Sequence, residues 1–123
     1  FTGTLRENLR LARHDADDQR LWQVLEQVRL ADMVRQRGGL DLWIGVNGLH
    51  LSGGQGRRLS LARVLLRDSP VVLLDEPFTG LEAASADRLF AMLRETLADR
   101  TLIMVTHDPR QASRLPRQLS LHG

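Results

Sequence analysis

Asp75-Glu76 closes an unbroken apolar run, Val71-Val72-Leu73-Leu74. Two adjacent carboxylates at a strand end can hold a hard divalent cation and orient a water. Magnesium takes few protein carboxylates and fills its other positions with waters and phosphate oxygens. In that chemistry Asp75 holds Mg2+ and Glu76 is the general base for the attacking water. The plainer alternative is that the acids end the strand and cap the next element. A second group, Leu51-Ser52-Gly53-Gly54-Gln55, opens an amphipathic run. Exposed N–H groups at a helix N-terminus attract anions. Glycine lets the backbone approach a phosphate closely, and the serine hydroxyl adds a donor. An ordinary serine N-cap followed by turn glycines has the same sequence. The third candidate is His107, which follows a second apolar run, Thr101 to Thr106. If the two runs are neighbouring strands, its imidazole shares a crevice with Glu76 and can orient the water. A lone histidine at that place also serves as a surface or capping residue.

These groups need elements to carry them. Val71 to Leu74 suits a strand buried on both faces of a parallel sheet, and Thr101 to Thr106 suits a second. Ligands in open α/β sheets bind beyond the carboxyl ends of the strands, where Asp75, Glu76 and His107 stand. Between the runs, Ala83 to Leu97 predicts a helix with Leu89, Leu93 and Leu97 on one side. Strand, helix, strand gives a parallel βαβ unit. Upstream, Leu59, Leu61, Ala62, Leu65 and Leu66 predict a helix opened by Ser52 and stopped before Pro70. Thr4-Leu5-Arg6-Glu7 has capping-box spacing. Asp17 or Asp18 caps a second helix, with Leu21, Val24, Leu25 and Val28 as its apolar stripe. Ala31 to Arg35 adds a further turn. Gly38-Gly39 and Gly45 to Gly48 read as a long loop. Asp108-Pro109 starts a short helix, and Gln118 to Leu121 reads as a final strand.

The chain has 123 residues, 42% hydrophobic and 26% charged, which suits one soluble globular domain. No run reaches the roughly 18 apolar residues a membrane span needs. Cysteine is absent, which excludes disulfides and thiolate metal sites. The pI near 10.8 accompanies a net charge of only +2, because all 17 basic residues are arginine. Arginine stays charged to very high pH. The arginines are interspersed with acids rather than gathered in a stripe, which argues against nucleic acid as a partner. With no lysine, the chain cannot contain the phosphate-gripping lysine loop of a P-loop nucleotide site.

Taken in order, Leu51 to Gln55, a helix, a strand ending Asp75-Glu76, a helix and a strand ending at His107 resemble the ABC ATPase family. Leu51 to Gln55 looks like its signature loop, Val71 to Glu76 like its Walker B strand with the catalytic glutamate, and His107 like its switch histidine. Gly56-Arg57-Arg58-Leu59-Ser60-Leu61-Ala62-Arg63 also fits. Phe1 to Leu9 resembles the segment after the glutamine loop in exporter-type members. The resemblance implies an α/β, partial P-loop NTPase fold. Residues 1–69 would be the helical signature part and residues 70–123 the C-terminal catalytic-core part of one incomplete domain. It implies ATP and Mg2+ as cofactors, held in a head-to-tail pair of ATP-binding domains. Ser52, Gly53, Gly54 and Gln55 would face ATP bound by the partner. Asp75 (through water to Mg2+), Glu76 and His107 would serve the same subunit. It further implies a transmembrane partner domain and the cytoplasmic face of the bacterial inner membrane.

Two departures stand out. The loop after the acid pair reads Thr79-Gly80-Leu81-Glu82, where the family has Ser-x-Leu-Asp. The Gly-Leu pair resembles the CydC-like branch, linked to cysteine and glutathione export and cytochrome bd assembly. Val46 stands where exporters carry a glutamate that contacts the membrane domain. The expectation is therefore the energy-coupling part of an exporter. A soluble ABC-type ATPase for DNA repair or translation, or a non-catalytic binding module, are the alternatives. Since the chain opens on Phe1 and lacks the lysine loop, it is expected to be a fragment without ATPase activity of its own. Its sheet is expected to leave apolar surface uncovered, making the isolated chain marginally stable or prone to aggregate.

Overall fold

The computed structural model describes residues 1–45 and 50–113. The chain first builds a small helical layer. β1 (Gly3–Thr4) leads into α1 (Leu5–Arg10), followed by α2 (Asp18–Gln27), α3 (Ala31–Gln36), a 3-10 turn at Gly39–Asp41 and β2 (Trp43–Ile44). Then come α4 (Gly53–Leu66), β3 (Val71–Asp75), α5 (Ala83–Thr96), β4 (Thr101–Val105) and α6 (Pro109–Ala112). No described helix is long and apolar enough to cross a membrane. Val46 and the strand expected at Gln118 to Leu121 lie outside the described residues.

The helices start where their caps dictate. Thr4 and Glu7 close a capping box, with Glu7 N–H on Thr4 Oγ1 at 3.1 Å and Thr4 N–H on Glu7 Oε1 at 2.9 Å. These bonds hold the Glu7 carboxyl below its usual range. Asp17 accepts the Arg20 N–H at 2.8 Å and so begins α2. Leu21, Val24, Leu25 and Val28 all face inward with no exposure, as their spacing requires.

The end of α2 carries strain. Leu30 N–H bonds the Leu25 carbonyl at 2.8 Å and Arg29 N–H bonds that of Glu26 at 3.1 Å. This is the Schellman pattern, which places Arg29 in the left-handed region that glycine favours; its φ is 62°. A side chain there costs about 1–2 kcal/mol. Arg29→Gly is therefore expected to stabilise the chain by about 1 kcal/mol, part of the relief being offset by the freer unfolded glycine. Denaturant unfolding of the two chains measures it, and a lower midpoint for the variant would contradict the assignment.

β1 and β2 form a two-stranded antiparallel sheet, Gly3 opposite Ile44 and Thr4 opposite Trp43, inside what the sequence presents as loop. Gly45 (φ 110°) leaves only 2.7 Å between an ideal Cβ and the Phe1 carbonyl oxygen, so only glycine fits there.

α4 buries Leu59, Leu61, Ala62, Leu65 and Leu66 against α2 and α1. Its last carbonyls are taken by arginines from elsewhere. Arg20 Nη2 reaches Leu65 O at 3.3 Å, and Arg100 Nη1 reaches Arg67 O at 3.0 Å. Cations suit that negative helix end.

β3 and β4 pair in parallel, from Val71 opposite Thr101 to Asp75 opposite Val105, and α5 forms the crossover. α5 buries Ala86, Leu89, Phe90 and Leu93, and Phe78 meets Phe90 with ring centroids 5.9 Å apart. Burial of both strand faces is not what the structure shows. Val72 and Leu74 are buried, whereas Val71 is 53% and Leu73 64% exposed, with Ile103 and Val105 beside them also exposed. Strand side chains alternate between faces, and no described element packs on the second face. The apolar run is thus a strand with one face in the core and the other uncovered among the described residues.

Candidate functional site

The end of β3 turns sharply. Glu76 N–H bonds the Val105 carbonyl at 2.8 Å, extending the parallel ladder by one rung. Its own carbonyl accepts the Thr79 hydroxyl at 3.2 Å. Between these bonds Glu76 adopts φ 47°, a conformation that costs a non-glycine residue energy and persists where surroundings impose it. The turn aims its side chain across the strand ends. Glu76 Oε1 accepts the His107 backbone N–H at 2.5 Å and lies 3.7 Å from His107 Nε2. The His107 ring is 91% exposed and the Glu76 side chain 31%. Parallel register is what brings together residues 31 positions apart.

Asp75 is the last residue of β3 and is exposed beside them. Among the described residues no group of three or more histidines, cysteines or acids gathers as a metal cage. One exposed carboxylate with a second alongside fits magnesium, which keeps most of its coordination for water and phosphate. It does not fit a cation caged wholly by protein. The chain has no lysine, so none of its own side chains offers an ammonium to a triphosphate beside these acids.

The second group caps α4. Ser52 Oγ accepts the Gln55 N–H at 3.1 Å, and Gln55 Oε1 accepts the Ser52 N–H at 3.0 Å. The Gln55 side chain is thus folded back into the cap, and the Gly53 and Gly54 amides are the first-turn donors that no helix bond uses. Ser52 and Gly53 are exposed and Gly54 half-buried. A Cβ added at Gly54 meets nothing within 4 Å, and one at Gly53 meets only Arg57 Nη1 at 3.8 Å. Packing within this chain therefore does not require either glycine. Both leave bare backbone at a helix end that carries positive potential.

A residue that the sequence did not single out joins the two groups. Arg57 Nη1 donates to the Thr79 carbonyl at 3.3 Å. It also stands 3.7 Å from the Cβ position of Gly80, whose φ is 83°. The first turns of α4 thus rest on the loop after Glu76. One arginine among 17 carries no signal by type, and its role depends on how that loop folds. Glu82 occupies the N-cap of α5 without a side-chain capping bond. Its carboxylate instead accepts the Ser85 hydroxyl at 3.3 Å.

Comparison with known proteins gives the family. Residues 2–79 match the ABC transporter family model. The chain is 44% identical over 114 residues to the Escherichia coli glutathione/L-cysteine transport system ATP-binding/permease protein CydC, covering 93% of this chain and 20% of that protein. It is 42% identical over 109 residues to the Haemophilus influenzae CydC, covering 87% and 19%. In three dimensions it is similar to a bacterial Atm1-family ABC exporter with ATP bound, with a TM-score of 0.79 at 27% identity, over 90% of this chain and 20% of that one. The chain spans about one fifth of the length of the relatives it matches. The family match over residues 2–79 and the likeness in three dimensions decide it: the chain belongs to the ABC transporter family and carries part of the ABC ATPase fold.

Proposed function

We propose that this chain is the signature- and carboxylate-bearing part of an ABC exporter's ATP-binding domain, of the CydC-like type. The observation that carries the reading is the meeting of Glu76 with His107 at the ends of two parallel strands. In this reading Asp75 holds Mg2+ through water, and the cation neutralises charge on the phosphates when bound. Glu76 accepts the proton of the attacking water at its carboxylate, and the exposed His107 imidazole orients that water. Ser52 and the amides of Gly53 and Gly54 stabilise charge on a nucleotide held by a second ATP-binding domain. Gln55 serves that contact by fixing the cap. The phosphate-gripping lysine comes from outside these 123 residues.

The names of the CydC relatives point to glutathione and cysteine as cargo, carried by a transmembrane partner domain. The working place is then the cytoplasmic face of the bacterial inner membrane. The uncovered face of Val71, Leu73, Ile103 and Val105 supports an obligatory neighbour, since such apolar surface is costly to leave in water.

The experiment is an ATP hydrolysis assay of the isolated chain beside the full-length protein that carries it. The isolated chain is expected to show no turnover, and the full-length protein to turn over ATP in a Glu76-dependent way. Robust hydrolysis by the isolated chain that Glu76→Gln abolishes would overturn the division of labour. A full-length protein inactive in every form would instead favour a binding module.

A further inference from the structure

Among the described residues the core contains one buried polar residue. Asn8 is 6% exposed and lies on the same stripe of α1 as Leu5 and Leu9. Its Oδ1 accepts Arg63 Nη1 of α4 at 2.7 Å, across 55 positions of sequence. The other end of that guanidinium reaches Ser60 Oγ at 3.0 Å, on its own helix. Burial, and then the neighbouring Arg67, pull Arg63 below the usual arginine value. A half-buried cation answered by amide and hydroxyl oxygens is a poor device for adhesion alone. Apolar residues at positions 8 and 63 together would pack without that cost.

What a polar contact at a core position supplies is register. α4 needs it. Arg58 stands four residues before Ala62 and seven before Leu65, so it shares their face and blurs the apolar stripe. Leucine ridges alone tolerate a slide or rotation that a directional bond does not. Gly53 lies ten residues from Arg63, roughly 15 Å along a straight helix. A one-residue slip of α4 would move that tip by about 1.5 Å and turn it by about 100°.

We infer that Asn8 and Arg63 are positioning residues: their bond fixes the register of α4 on α1 and so places the Ser52–Gly54 amides for the neighbouring nucleotide. This rests on the proposed in-trans role of that tip.

The test uses the full-length protein and three measurements: a thermal melt, equilibrium binding of a non-hydrolysable ATP analogue, and kcat. The Asn8→Leu/Arg63→Met double variant removes both polar partners together. It is expected to keep a cooperative melt and full analogue stoichiometry, while kcat falls about 10- to 100-fold, the scale for misplacing a reacting contact by an ångström or so. Asn8→Asp, which keeps an acceptor at Oδ1, is expected to recover turnover relative to Asn8→Ala. A double variant with wild-type kcat overturns the inference, as does loss of binding stoichiometry in proportion to kcat. If the double variant does not fold, Asn8→Ala reads the same split, and undiminished kcat there overturns it. Gly54→Ala is the control. If it leaves kcat unchanged, the in-trans reading itself fails; if it lowers kcat and the Asn8 variants do not, only the register inference fails.

Discussion

Glu76→Gln is expected to lower ATP hydrolysis by the full-length protein by about 10²- to 10⁴-fold, the usual contribution of a positioned general base. ATP binding is expected to persist. Glutamine matches glutamate in size, and its carbonyl oxygen can still accept the His107 N–H that the carboxylate accepts at 2.5 Å. The strained turn at φ 47° is a backbone property and stays. What the amide cannot do is take a proton from water. The substitution therefore separates chemistry from architecture. Steady-state hydrolysis and equilibrium nucleotide binding, measured on one preparation, check it. Parallel loss of both would mean that Glu76 holds the fold or the ligand instead of the proton.

The second large effect runs in opposite directions in two assays. Gly54→Ala is expected to stabilise the isolated chain by up to about 1 kcal/mol, since alanine is the better helix former and its Cβ meets nothing within 4 Å. On the proposed in-trans role of this tip, the same methyl would stand where a phosphate approaches the amide. Turnover is expected to fall by about 10²- to 10³-fold, the scale of losing one preorganised donor. A raised denaturation midpoint together with lowered kcat is a signature that no folding defect can imitate. If activity survives, the glycine serves only the turn.

Much of the fold is legible in the sequence because the decisive signals are local. Thr4 with Glu7, Asp17, and Ser52 with Gln55 are cap residues whose bonds span three positions, and each starts a helix where expected. The meeting of Glu76 and His107 comes from two apolar runs and the rule for parallel strand ends. The features that are not legible depend on distant partners. Trp43-Ile44 is too short to show alternation, and its pairing partner lies about forty residues away. The apolar run Val71 to Leu74 is compatible with burial on both faces, and only the arrangement of the other elements shows Leu73 uncovered. In the sequence Asn8 is a polar residue in a short helix, and its reason for being there is the distant Arg63. Arg57 is the same case, tied to the Thr79 carbonyl by a loop whose course spacing does not reveal.

The tip of α4, capped by Ser52 and led by Gly53 and Gly54, is proposed to reach a nucleotide that a different ATP-binding domain holds. Photo-crosslinking from an ATP analogue reactive at its γ-phosphate measures this directly, in the full-length Glu76→Gln protein, with peptide mapping of the product. The predicted result is label on Ser52 to Gly54 of one domain while the lysine loop gripping the same nucleotide belongs to the other. Label confined to a single domain, or a tip left unlabelled while ATP is bound, would contradict it.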